Sequence, residues 1–283
     1  MLPASASTDV KTPVRAAPIV VVDNLVKRFE TPDGRVTAID NVSFTVDPGE
    51  VVTVIGPSGC GKSTLFSVIG GLTGGYQGSV LVDGVRVTGP HPAVGMVFQE
   101  ESTFPWRTVE ENVAFPLELS GTPKAERLDR ARHLIVMVGL AGFERRYPAE
   151  LSGGMRQRVA IARTLAFKPK VLLMDEPFAA LDEQTRLLLG DKVLTIQQEL
   201  KQTIILITHN ITEAVQLSDR VLVMTYRPGT MKRTVRIDLP RPRTSEIVGS
   251  DAFGRCVAGI WHDLREEASR GMRDSESAAR GEA

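Results

Sequence analysis

Cysteine is scarce in this chain: among 283 residues there are two, Cys60 and Cys256. Two isolated thiols make no disulfide framework and suit a reducing compartment. A surplus of charge is missing too. Lysine plus arginine number 34, as do aspartate plus glutamate. No overall field therefore draws the chain onto nucleic acid or an anionic membrane, and any anionic ligand must be neutralised locally. No apolar run approaches the roughly 20 residues needed to cross a bilayer. Residues 1–18 hold Pro, Ser, Ala and Thr without an apolar centre, so they do not read as a secretory signal peptide and are expected to form a disordered arm. Apolar residues, at 42 %, are plentiful enough for a substantial core in one large domain or two. The expectation is a soluble, cytosolic chain.

The stretch that organises the rest is Gly56-Pro57-Ser58-Gly59-Cys60-Gly61-Lys62-Ser63-Thr64. It follows the β-branched run 51–55 and leads into the apolar segment 65–69, which is the strand, turn and helix context in which G-x-x-x-x-G-K-[ST] cradles phosphate. Gly56, Gly59 and Gly61 let backbone N–H groups converge. The new helix adds free donors and the positive end of its dipole. Lys62 is expected to reach the β/γ-phosphates and Ser63 to hold Mg²⁺. The chain is thus expected to bind a nucleoside triphosphate. Cys60, among these donors at a helix start, is expected to have a lowered thiol pKa, to block nucleotide binding when alkylated and to be protected by MgATP.

Around this loop the first third reads as β-rich: strands over 19–31, 36–46, 51–55 and 78–82, the last closed by an Asp83-Gly84 turn. A strand at 94–98 ends at Gln99, and from Glu100 to about Leu165 the pattern turns helical. Thr108 with Glu111 forms a capping box. Thr122-Pro123 is expected to open a second helix with proline at its first position. Leu128, Ala131, Leu134, Ile135 and Val138 form its apolar stripe. A third helix is expected from Ser152-Gly153-Gly154 to about Phe167. The runs 171–174 and 203–208 are continuously apolar, as in parallel strands covered on both faces. Between them lies a long helix from Asp182 to about Lys201. A short helix at 211–217 and strands at 220–225 and 231–239 follow. Pro240-Arg241-Pro242-Arg243 then breaks to a tail in which Phe253, Val257, Ile260, Trp261 and Leu264 share one helical face, with disorder expected from about residue 270.

In an open parallel α/β sheet, ligands bind beyond the carboxyl ends of the strands. Four polar stations fall there: the loop, Gln99, Asp175-Glu176 and His209. Asp175 is placed to hold Mg²⁺. Glu176 can orient and polarise an attacking water, and His209 can bond the γ-phosphate or hold the water in line. Alone, each could be a plain strand-end turn or a solvated side chain; their order behind the phosphate loop favours chemistry.

The octapeptide Leu151-Ser152-Gly153-Gly154-Met155-Arg156-Gln157-Arg158 resembles the signature of ABC-type ATPases. The resemblance covers about residues 18–240. It takes in the phosphate loop, Gln99 as the Q-loop glutamine (also a metal ligand), Asp175 and Glu176 as the second nucleotide motif, Ala180-Leu181-Asp182 as the D-loop and His209 as the switch histidine. Met155 departs from the glutamine that many members carry. The implied fold is α/β: a RecA-like P-loop NTPase core over residues 19–240 with an N-terminal antiparallel β-subdomain, an inserted α-helical subdomain at about 100–165, and a helical tail over 241–283. Phe29 falls where the family stacks an aromatic on adenine, though a plain core phenylalanine fits the sequence as well.

The resemblance further implies a head-to-tail homodimer in which Ser152, Gly153 and Gly154 of one copy close on the ATP held by the other, with Asp182 nearby. On its own the Ser-Gly-Gly corner could be an ordinary helix cap. Residues 99–109, with Phe104 and Trp106, would line a groove for a coupling helix of a membrane subunit; both rings could instead be core. Pro105-Trp106, Met155 and the short tail look like ATPases of the nitrate/sulfonate/taurine importer group. That reading implies two integral-membrane permease subunits, a periplasmic or extracellular solute-binding protein, and a peripheral place on the cytoplasmic face of the inner membrane. An exporter ATPase is the alternative within the family. A soluble ABC ATPase acting on nucleic acid or ribosomes is the alternative outside transport. It is disfavoured by the single cassette, the missing coiled-coil insertion and the neutral charge, so no nucleic-acid partner is expected.

Overall fold

The computed structural model describes residues 16–32, 34–100 and 102–281. The chain runs β1 Val20–Thr31, β2 Gly34–Val46, β3 Val51–Ile55, α1 Lys62–Ile69, β4 Tyr76–Val82, β5 Val85–Arg86 and β6 Val94–Val97. Three helices follow: α2 Val109–Leu119, α3 Lys124–Met137 and α4 Gly153–Ala166. Then come β7 Val171–Asp175, α5 Glu183–Leu200, β8 Thr203–Ile207, α6 Ile211–Leu217, β9 Arg220–Met224, β10 Met231–Arg236 and α7 Asp251–Gly281.

Two sheets result. One is antiparallel, in the order β2-β1-β4-β5; the other runs β10-β9-β3-β8-β7-β6. In the second, β9, β3, β8, β7 and β6 are mutually parallel, and β10 is an antiparallel edge. The central strands are apolar throughout because both faces are covered, and the period-2 alternation decides which core each side chain joins. Val52, Val54, Leu173, Ile205 and Ile207 pack with α1 and the antiparallel sheet. Val51, Leu172, Met174, Ile204 and Leu206 face the opposite way, into a core shared with α2 to α5. This is the P-loop NTPase core with an antiparallel β-subdomain and an inserted helical subdomain.

In that subdomain, Ala131, Ile135 and Val138 of the expected stripe are fully buried. The Thr108–Glu111 capping box is present. Pro123 stands at the N-cap, with φ −53° and ψ 144°, rather than inside the first turn; the helix begins one residue later than expected.

The tail departs further. Phe253, Ile260 and Leu264 are buried against β9, α6 and residues 237–239, but Trp261 points outward and is exposed. One residue along a helix turns the side chain about 100°, which takes Trp261 off the covered face. The helix also continues to Gly281 instead of giving way to disorder near residue 270. Of the expected N-terminal arm, residues 1–15 lie outside the described residues.

Candidate functional site

The phosphate-loop residues meet at the carboxyl edge of β3. Gly59 has φ +74° and Gly61 φ +99°, values that side-chain-bearing residues rarely adopt. The first helical bond of α1 runs from Leu65 N–H to Gly61 O at 2.9 Å. Of the N–H groups before it, Cys60 N–H donates to Pro57 O at 3.3 Å, while those of Ser63 and Thr64 at the helix start have no intrahelical acceptor and can face an anion. A cavity of about 440 Å³ opens there, lined by Phe29, Ser58, Gly59, Gly61, Lys62, Ser63, Thr64, Glu176 and Arg227 among others. Phe29 forms its rim, 39 % exposed, with the Lys27 ammonium 4.6 Å from its ring centroid. The remaining ring surface is available for stacking.

Lys62 is buried, and its ammonium donates to Gly56 O and Pro57 O, both at 2.9 Å. Gly56 and Pro57 thus hold the lysine rather than line the cavity. Cys60 corrects an expectation. It is fully buried, and a Cβ at Gly56 would stand 2.7 Å from its sulfur. Burial pushes the thiol pKa up, against the lowering effect of nearby Lys62. Desolvation here outweighs what the helix start and Lys62 offer the thiolate, so Cys60 serves packing rather than as a reactive handle.

β7 and β8 bring the acidic pair and the histidine to the same edge. Asp175 pairs with Ile207 in register, and the Glu176 N–H donates to Ile207 O at 2.8 Å. Glu176 sits at φ +43°, a left-handed conformation costing on the order of 1 kcal/mol and held by its neighbours. Its Oε2 lies 3.0 Å from His209 Nδ1. The Asp175 carboxyl is pushed up by burial first and by the adjacent Glu176 charge second, while a hydrogen bond from the Ser63 hydroxyl and the Lys62 charge pull it down. A half-buried carboxylate beside a second acid, bonded to a hydroxyl at a helix start, is a donor set that fits a divalent cation, which Ser63 and Asp175 would hold. Gln99 stands exposed just past β6 and makes no hydrogen bond among the described residues.

The Ser-Gly-Gly corner lies elsewhere. Ser152 caps α4, accepting from Met155 N–H at 3.3 Å. Neither it nor Gly153 or Gly154 lines the loop cavity. Asp182 caps α5 by accepting from Thr185 N–H at 2.9 Å, which lowers its pKa. In the 99–109 stretch, the buried Asn112 side chain accepts from Phe104 N–H and donates to the carbonyls of Phe104, Arg107 and Thr108. Phe104 packs edge-on to Phe115, with centroids 4.7 Å apart, while Trp106 is 72 % exposed.

Two groups escaped the sequence reading. Glu213 is buried, accepts from Thr208 Oγ1 at 2.6 Å and forms an ion pair with Arg186 at 3.2 Å. Arg186 also donates to Leu181 O, so the segments bearing Asp182 and His209 are tied together. A glutamate on the apolar side of the short helix was the available signal. The other is Arg227, legible only as part of a turn.

The ABC transporter family profile matches residues 39–179. An uncharacterised ABC transporter ATP-binding protein of Methanocaldococcus jannaschii is 54 % identical over 252 residues, 89 % of this chain and 93 % of that protein. The aliphatic sulfonates import ATP-binding protein SsuB of Bacillus cereus is 45 % identical, covering 80 % of this chain and 88 % of its own. The nitrate import ATP-binding protein NrtD of Synechocystis is 49 % identical, covering 77 % and 82 %. Among solved structures, a dimeric post-hydrolysis ATP-binding cassette bound to ADP and Pi aligns with a TM-score of 0.68 at 30 % identity, over 78 % of this chain and all of that one. With the phosphate loop, acidic pair and signature in place, the chain belongs to the ABC transporter ATP-binding family and is an ATPase subunit.

Proposed function

We propose that this chain is the ATP-hydrolysing subunit of an ABC importer, working as a head-to-tail dimer on the cytoplasmic face of the cell membrane. The observation that carries the hydrolytic half is the convergence of Lys62, the Ser63–Asp175 bond and the Glu176–His209 pair at one sheet edge. Lys62 and the free N–H groups of α1 bind the β/γ-phosphates, and Phe29 stacks on the base. A Mg²⁺ ion held by Ser63, Asp175 and Gln99 would supply charge neutralisation of the phosphates. Glu176 takes a hydrogen bond from the attacking water and polarises it. His209, joined to Glu176, keeps that carboxylate in place and meets the γ-phosphate.

Ser152, Gly153 and Gly154 start a helix and stand apart from the phosphate-loop cavity of their own chain, which supports the reading that they close on the ATP of a second copy. Asp182 then lies at the shared interface. Import of nitrate- or sulfonate-like solutes is supported by the relatives SsuB, an aliphatic sulfonates import ATP-binding protein, and NrtD, a nitrate import ATP-binding protein; taurine-like solutes, two membrane permeases and a solute-binding protein belong to the same proposal. The exposed Trp106 on its braced loop supplies a docking anchor for a permease.

Glu176→Gln tests this reading. It keeps the side chain's shape but removes the charge that polarises water. The expected outcome is an ATP-dependent dimer in size-exclusion chromatography, with turnover lowered by about 10²–10³. Wild-type turnover by this variant, or a strictly monomeric elution with ATP, would overturn the dimeric mechanism.

A further inference from the structure

Arg227 stands in the hairpin loop between β9 and β10, on the wall of the loop cavity opposite the acidic pair's strand. Its Nε–H donates to Gly59 O at 3.0 Å. Its guanidinium covers Gly59 so closely that a Cβ there would be 2.7 Å from Nη2. Among the described residues no carboxylate pairs with Arg227, and Nη1 and Nη2 have no hydrogen-bond partner. An unpaired guanidinium beside the amides of a phosphate loop is a planar fork without its natural counterpart, a carboxylate or a phosphate.

The backbone that carries this side chain is tied down on three sides. Gly229 exchanges hydrogen bonds with β2, donating to Ala38 O at 3.0 Å and accepting from Asp40 N–H at 2.9 Å. Thr225 and Thr230 close the loop through Thr230 N–H to Thr225 Oγ1 at 2.9 Å. The third tie comes from the C-terminal helix: Glu267, 1 % exposed, accepts from Tyr226 N–H at 3.0 Å and from Lys232 Nζ at 2.9 Å. Lys232 also reaches Asp263 O and Glu266, and Arg233 pairs with Asp263. A buried carboxylate with both oxygens engaged fixes the residue next to Arg227. Less ordering entropy then remains to be lost when the guanidinium meets a ligand.

We propose that Arg227 is a further nucleotide-binding residue whose Nη groups contact the phosphate chain of bound ATP, and that Glu267 on α7 is its positioning residue. This rests on the reading of the cavity as the ATP site, and it gives the C-terminal helix a part in nucleotide affinity. Lys62 neutralises the phosphates from the floor of the loop; Arg227 does so from the Gly59 side.

The test is calorimetric titration of the full-length chain with ATP, with melting temperature measured on every variant. Arg227→Ala is expected to weaken ATP binding about tenfold, the low end for a charged hydrogen bond, with an unchanged melting temperature. The loss should shrink at high salt. Arg227→Lys, which keeps the charge without the fork, should recover part of it. Glu267→Gln should weaken binding several-fold in the wild-type background and have no further effect on Arg227→Ala, as expected of residues acting in series. Binding by Arg227→Ala within twofold of wild type overturns the proposal. So does a loss that Arg227→Lys does not recover and a lowered melting temperature accompanies, because Arg227 would then merely brace Gly59. A wild-type chain that fails to bind ATP would refute the underlying reading of the cavity instead.

Discussion

Two helix starts in this molecule offer the same raw material, a small-residue turn and a set of free backbone donors. At α1 the turn ends in Gly61 with φ +99° and no side-chain cap, and its donors open into a cavity shared with Lys62, Glu176 and Arg227. At α4 the serine itself takes one donor through its bond from Met155 N–H, and the corner stands apart from that cavity. The first start shares its cavity with a lysine, a glutamate and an arginine; at the second the nearby charges are Arg156 and Arg158, whose guanidinium groups donate to Leu151 O at 2.6 Å and Gly154 O at 3.4 Å. Identical local physics therefore supports two tasks. In the proposed mechanism one corner holds a triphosphate within its own chain, while the other meets the triphosphate of a second copy.

The sharpest way to break this comparison is Lys62→Ala. The lysine's contacts within the loop are two backbone carbonyls and, at 3.9 Å, the Cys60 sulfur, so the fold should survive in circular dichroism while ATP turnover falls by on the order of 10²–10³. Unaltered turnover would reduce the loop to an ordinary bend. A smaller and more discriminating effect is expected from Ser152→Ala. ATP affinity in titration should stay at the wild-type value while turnover drops about tenfold, because in the proposed mechanism only the closed dimer uses the serine. The lost cap should cost about 1 kcal/mol, readable as a small fall in melting temperature. Equal losses of affinity and turnover would place both corners at one intramolecular site.

The smallest effect concerns Cys60. Its pKa is raised by burial, so at any fixed pH less of it is thiolate than for an ordinary cysteine. Labelling with N-ethylmaleimide at neutral pH should modify the partly exposed Cys256 first and leave Cys60 unmodified with or without MgATP. Cys60 should react only as pH rises above the ordinary thiol range or the chain unfolds. Rapid labelling at neutral pH, suppressed by nucleotide, would restore the reactive-thiol expectation.

Much of the molecule was legible in one dimension. Strands β7 and β8 announced themselves as continuous apolar runs because both their faces are covered, and the polar residues that end them, Asp175 and His209, mark the sheet edge that gathers ligands. The Thr108–Glu111 box and the Ser152 cap are local hydrogen-bond patterns spanning three residues, so they appear in sequence as they appear in space. Cys60 was misread because its motif neighbours specify backbone donors but say nothing about the packing of its own sulfur under Gly56. Trp261 was misplaced because an apolar residue at helical spacing need not lie on the covered face.

Arg227 and Glu267 were invisible for a related reason. Their partners are distant in the chain: Gly59 reaches Arg227 across 168 positions, and Tyr226 reaches Glu267 across 41. The amino-acid order by itself determined the elements, the sheet edge and the phosphate loop, since each depends on periodicity, glycine dihedrals or capping within a few residues. Only the tertiary structure decided which side chains are buried, which cation faces the cavity and which helix steadies it. Those outcomes depend on water exclusion and on contacts between segments far apart in sequence, which no local pattern encodes.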